Sequence, residues 1–240
     1  MFKIAVLFIV SVFIFSISSR AQKKISLSAY VGSGVSYFRG SGTVSNSVYY
    51  RNGIPWPNSK DSIANPFGRK ALTNWVSGLQ GDITFSSKWE LLLRVQFESS
   101  GGKLTGDSVI SPTITYKTNG TFTRYYHYIS FNPEIGRIIF IKIITFTIHT
   151  GIDYTSKLDR GGNFVFTDQN NQKNDIGGQG DEPEVNDFRI TFGATIQRKK
   201  WSIAINYKHG LVNYNTKGAG NVYSRILHFS IHYAFLNKKI

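Results

Sequence analysis

At 240 residues the chain has room for one eight-stranded barrel with loops, or one large all-β domain. Aromatic residues make up 15% and charged residues 18%. Beyond the amino-terminal segment no uncharged apolar run reaches about 20 residues, which excludes helical membrane spans. The absence of cysteine excludes structural disulfides and thiolate metal sites. The formal charge of +14 raises the question of nucleic acid. The basic residues are scattered, however, and many fall in short turns and termini: Lys23, Lys24, Lys88, Arg137, Arg198, Lys199, Lys200, Lys238 and Lys239. With no recognition motif beside them, the reading is no nucleic acid and a basic rim facing anionic outer-membrane lipids.

Residues 1–21 open with Lys3, run through mostly apolar residues from Ile4 to Ile17, and end Ser18-Ser19-Arg20-Ala21 before Gln22. The apolar run is too short to span a bilayer, and small residues at Ser19 and Ala21 fit a signal-peptidase site. Cleavage after Ala21 is expected, leaving 22–240 as a single barrel domain. It removes Lys3 and Arg20 and lowers the charge to +12.

Eight strand candidates follow, each about ten residues or longer, as a tilted bilayer-crossing strand requires. The first, 25–38, sets Ile25, Leu27, Ala29, Val31, Val35 and Tyr37 against serines and glycines. The second, 75–85, sets Leu79, Ile83 and Phe85 against Gln80, Asp82 and Thr84. The third alternates most cleanly, with Trp89, Leu91, Leu93, Val95 and Phe97 opposed to Glu90, Leu92, Arg94, Gln96 and Glu98. In the fourth, 122–131, tyrosines populate both faces, and Tyr125, Ile129 and Phe131 are taken as outward. The fifth, 138–154, begins almost unbroken in its apolar character and settles into Ile144, Phe146, Ile148, Ile152 and Tyr154 against Thr145, Thr147, His149, Gly151 and Asp153. The sixth, 188–197, and the seventh, from Trp201 to Lys208, repeat the period of two. The last, 222–235, alternates Leu227, Phe229, Ile231, Tyr233 and Phe235 with His228, Ser230, His232 and Ala234.

Three connections are short: 86–88, 198–200, and the segment Asn132-Pro133-Glu134-Ile135-Gly136-Arg137, read as a turn between the fourth and fifth strands. The others, 39–74, 99–121, 155–187 and 212–221, are mostly long and polar. Short turns at one end and long loops at the other describe an outer-membrane barrel. The expected fold is an eight-stranded, antiparallel, up-and-down transmembrane β-barrel in the bacterial outer membrane. Periodicity defines two faces without saying which is inside, so a soluble lipocalin-like barrel with Leu91, Phe146 and Phe229 in its core stays open.

The segment from Asp187 to Asn213, beginning Asp187-Phe188-Arg189 and ending Lys208-His209-Gly210-Leu211-Val212-Asn213, resembles the signature of the PorT-like outer-membrane β-barrel family of Bacteroidetes. Tyr128-Ile129-Ser130-Phe131 and the closing strand from Ser224 to Phe235 are similar to the same family, as is the Ala21-Gln22 site. Asn132 stands where many relatives have proline, and Lys208 where arginine is usual. The resemblance implies a barrel and an accessory role in envelope transport of the type IX secretion kind. Its motifs are structural and imply no chemistry.

Charged residues on the inward positions form the candidate site: Asp82, Glu90, Arg94, Glu98, Arg124, Asp153, Arg189 and Lys208. An eight-stranded barrel is too narrow for an open channel. Buried charges of both signs must then pair, so a plug of cross-strand ion pairs is expected, with a narrow pore as the alternative. A three-residue loop centred on Ser87 would put Gln80 opposite Arg94, with Asp82 one diagonal step away. His149, His228 and His232 also point inward. His228 and His232 lie about 13 Å apart along a strand, too far to share a metal ion. Ser230 beside them raises a lumen-facing hydrolase as another alternative. No catalytic, cofactor-binding or metal-ligating residue is assigned and no enzyme is expected. The acidic residues Asp168, Asp175, Asp181, Glu182, Glu184 and Asp187 read as a solvated loop rather than a calcium site. Tyr49, Tyr50 and Trp56, among Pro55, Pro57 and Pro66, could meet envelope protein partners or a glycan.

Overall fold

The computed structural model describes residues 24–50, 62–63, 65, 67–110, 115–141, 143–167, 172–178, 186–215 and 220–239. Residues 1–21, read as a cleaved signal peptide, Trp56 with its prolines, and Asp168, Asp181, Glu182 and Glu184 lie outside them, as does the side chain of Asp175. Among the described residues there are eleven strands: β1 (Lys24–Arg39), β2 (Asn46–Tyr50), β3 (Ser62–Ile63), β4 (Leu72–Ser86), β5 (Trp89–Ile110), β6 (Thr115–Ile141), β7 (Ile144–Thr167), β8 (Lys173–Gly178), β9 (Phe188–Arg198), β10 (Trp201–Gly210) and β11 (Tyr223–Lys239). Eight of them close into a ring in the order β1, β4, β5, β6, β7, β9, β10, β11 and back to β1, every pairing antiparallel. A closed ring leaves no unpaired edge along the wall, the condition for strands to cross hydrocarbon.

The alternation in sequence becomes two opposed surfaces. Val31 is 65% and Ile203 61% exposed on the outside, whereas Arg94 and Lys208 are each 2% exposed inside. Leu79, Val95, Phe131, Ile148, Phe192 and Ile231 continue the outer apolar belt. Such a surface is stable only against lipid, so the molecule is an outer-membrane-type transmembrane barrel. The inverted, lipocalin-like arrangement is overturned: Phe229 is exposed on the outer wall, and the interior is polar.

At one end the strands are joined by two-residue turns. Arg198 pairs with Trp201 around Lys199 and Lys200, with Lys199 at φ 55° in the left-handed region that a tight turn demands. Ser86 pairs with Trp89 around Ser87 and Lys88, and a bulge between Thr84 and Ser86 restores the Gln80–Arg94 pairing that a longer loop would also have given. The third turn corrects the sequence reading. Residues 132–137 are not a turn: β6 runs straight through them, and the reversal falls between Ile141 and Ile144. Pro133 lacks a donor, and the pairing of β6 with β7 skips from Phe131–Tyr154 to Glu134–Gly151 around it; on its other side Pro133 still faces Leu93. A turn-like Asn-Pro and Gly are thus accommodated inside a wall strand, with the apolar run 138–141 ending β6 rather than opening the fifth barrel strand.

At the other end the wall rises above the ring. Most of the segment 99–121, read as a loop, is a continuation of β5 and β6. β7 likewise runs on to Thr167 and carries β8 on its outer side. β2 lies parallel to β5 and holds the short β3, giving a raised sheet in the order β3, β2, β5, β6, β7, β8. Leu104, Val109, Phe122, Phe164 and Phe166 form its own buried cluster, with Val44 packed against it and the Phe164 and Phe166 rings stacked at 4.9 Å.

Candidate functional site in the lumen

Going down the barrel from the loop end, the first layer is aromatic. Phe38, Phe67, Tyr126, Tyr128, Tyr214 and Val222 form one buried cluster across the mouth. Phe67 comes from the connection between β1 and β4, which is tied to the wall by the Phe38 N–H donating to the Gly68 carbonyl at 3.3 Å. Its ring meets Phe38 edge-on at 5.5 Å.

The next layer holds two cations among three carboxylates. Arg189 donates from Nη1 to Glu98 and to Asp153 (3.2 Å) and from Nε to Asp187 (2.7 Å). Lys208 Nζ lies 2.6 Å from Glu98 and 3.0 Å from Asp153. Hydroxyls take up remaining acceptor capacity: Tyr214 and Ser224 donate to Asp187 at 2.9 and 2.6 Å, and Tyr214 and Tyr128 share a hydrogen bond of 2.8 Å. The Arg189 guanidinium lies over the Tyr128 ring at 5.0 Å, linking the aromatic layer to the charged one. Asp187 is therefore fully buried, not part of a solvated acidic loop.

Below it, Arg94 donates to the Gln80 side-chain oxygen Oε1 (2.6 Å), to Asn206 (3.0 Å) and to Glu134 (3.0 Å). Glu134 also accepts from Thr191 at 2.7 Å and lies 2.6 Å from His149 Nδ1. Gly193 makes this packing possible, since a Cβ there would lie 2.3 Å from the His149 ring and 2.5 Å from Asn206. Glu134 escaped the sequence analysis because its neighbours Pro133 and Gly136 read as a turn. Its parity with Arg124, Tyr126, Tyr128 and Ser130 on β6 was the signal that would have placed it inside.

Asp82 and Glu90 line a separate cavity at the turn end, and Arg124 is buried near the loop end with its guanidinium 5.6 Å from the Tyr126 ring centre. The eight sequence-selected residues all take inward positions, but in four places rather than one: Glu98, Asp153, Arg189 and Lys208 in one layer, Arg94 in the next, Asp82 and Glu90 at the turn end, and Arg124 near the loop end. Ser230 and His232 are 2.8 Å apart, within reach for a nucleophile and its base. His232 is stacked on Tyr30 at 4.5 Å, its Nδ1 has no hydrogen-bond partner to orient it, and the adjoining cavity of about 10 Å3 holds no more than a water. Among the described residues no three of His, Cys, Asp or Glu converge as a metal site.

No protein-family model matches the sequence, and no curated protein matches it. Among solved structures, the chain is similar to Ail, the attachment invasion locus protein of Yersinia pestis, solved with the heparin analogue sucrose octasulfate: 12% identity, 90% of this chain and 99% of that one, TM-score 0.32. It is also similar to Neisserial surface protein A (8%, 88% and 97%, 0.37) and to a Pseudomonas aeruginosa FadL homologue (9%, 92% and 92%, 0.21). Likenesses this distant add nothing to what the closed ring, oily outside and charged inside, already establishes.

Proposed function

We propose that this protein is a non-enzymatic, non-conducting outer-membrane anchor that presents its raised sheet outside the cell to a macromolecular partner. The observation supporting it is the filled lumen: among the described residues an aromatic layer lies over two ion-paired layers, and the cavities beside them at His232 and at Asp82 are of about 10 and 20 Å3, room for water rather than an organic substrate. What remains for interaction is the sheet at the loop end, which lies outside the cell in barrels of this kind. At the other end Arg137 lies over Trp89 at 5.0 Å and Lys200 over Tyr233 at 6.0 Å, pairs suited to anionic lipid head groups. The PorT-like resemblance of the Asp187–Asn213 segment favours an accessory of envelope transport in Bacteroidetes as the specific task.

The test has two parts. In planar bilayers the folded protein is expected to give no discrete conductance steps; regular steps would sink the anchor reading in favour of a pore. Replacing residues 105–117 by a short turn should leave a folded barrel in the membrane while abolishing the partner interaction or secretion phenotype. Retention of both by that variant would remove the sheet from the function.

A further inference from the structure

We propose that the turn end of the lumen binds a hard divalent cation, calcium or magnesium, between Asp82 and Glu90. In register Asp82 faces Leu92 and Thr84 faces Glu90, so the two carboxylates occupy diagonal inward positions on adjacent strands, about 7–8 Å apart at the backbone. They line one cavity of about 20 Å3, space for a water-sized particle. Among the described residues the lumen ion pairs involve Glu98, Glu134, Asp153 and Asp187, and none reaches Asp82 or Glu90. Gln80 donates to Asp82 at 2.6 Å and Thr147 is hydrogen-bonded to Glu90, neither bringing a charge, while Lys24 and Arg94 act on the two carboxylates only from beyond contact distance.

An independent observation points into the same space. Ser26 pairs with Asp82 across β1 and β4, lines the cavity, is 4% exposed, and its Oγ has no hydrogen-bond partner. An orphaned hydroxyl beside two carboxylates without a contact ion pair is one more oxygen lining the space where a cation would sit. The rest of the lining includes Thr147, Thr195 and Gln197 beside apolar Leu92 and Ala234, and neither His nor Cys. That all-oxygen donor set suits calcium or magnesium rather than zinc or copper. The cation would offset two like charges held in a poorly solvated barrel. Entry is from the turn end, where Lys24 pairs with Thr84 at the rim. The inference is independent of any partner of the raised sheet.

The experiment uses the full chain folded in detergent micelles, stripped with a chelator and titrated calorimetrically with calcium or magnesium chloride against sodium chloride at matched ionic strength. One saturable divalent site is expected, with a rise in unfolding temperature. Asp82→Asn and Glu90→Gln should each weaken binding at least about tenfold, and Ser26→Ala should weaken it less. The double carboxylate variant should unfold at a higher temperature than wild type in chelator, because the repulsion is gone, while losing the cation-dependent rise. A pair with only a structural role would not move in that way. Three results overturn the proposal: no saturable binding of either ion, binding undiminished in the double variant, or binding that appears only in Lys24→Ala, which would make the Lys24 ammonium the built-in counter-ion.

Discussion

Arg189 is the cation that, among the described residues, meets the most buried carboxylates. It touches Glu98, Asp153 and Asp187 at once, and all four are fully buried. Arg189→Met leaves three carboxylates to the single charge of Lys208 and should cost about 3–5 kcal/mol in urea unfolding from micelles. Replacing Lys208 by Arg, the residue the PorT-like resemblance leads one to expect, keeps the charge; its stability should stay within about 1.5 kcal/mol of wild type. Gly193→Ala tests close approach rather than charge, because its Cβ would strike His149 and Asn206, and a loss of roughly 1–3 kcal/mol is expected. These residues were unequally legible. Arg189, Lys208 and Glu98 could be placed inside from parity alone, since a charge on the polar face of a strand whose other face is apolar has nowhere else to go. Asp187 lay one residue outside a strand and Glu134 beside a proline, and local composition hid both; Asp187 reaches Arg189 from two residues away along the chain, and the pairing of β5 with β6 sets Glu134, opposite Leu92, diagonally beside Arg94.

Individual elements divide into wall and superstructure. β5, β6 and β7 serve both, and the buried cluster around Leu104 and Phe164 belongs to the upper part alone. Phe164→Ala should cost the raised sheet about 3–5 kcal/mol, opening its backbone to hydrogen exchange and protease while amides of β10 and β11 in the ring keep their protection. Equal loss of protection in both would mean that the sheet and the ring unfold as one unit. Element existence was readable from the period of two, and all eight ring strands have their counterparts in the sequence. Their ends were not: residues 99–110 and 115–121 carry the glycines and threonines of a loop yet continue the ladder, because pairing with an already ordered neighbour outweighs weak local preference. The same cause explains why 132–137 stays extended between β5 and β7.

For the molecule as a whole, orientation toward lipid is the property the sequence left open and the closed ring decides. Ile203→Arg, on the outer wall, should cost about 2–4 kcal/mol in a bilayer if it sits near the midplane. The same change should be nearly silent in a barrel whose outside met water, so comparing the variant in vesicles checks the assignment directly. One further consequence comes from the seam. Lys24 pairs with Lys239, and the ladder continues from there to Arg39 with Tyr223, so the first and last strands are neighbours in space and nearly the full chain length apart in sequence. Contacts of that separation form late and slowly. Until β11, a strand of seventeen residues, pairs with β1, the wall is an open curl with two bare edges, so cylinder closure depends on that one long-range seam.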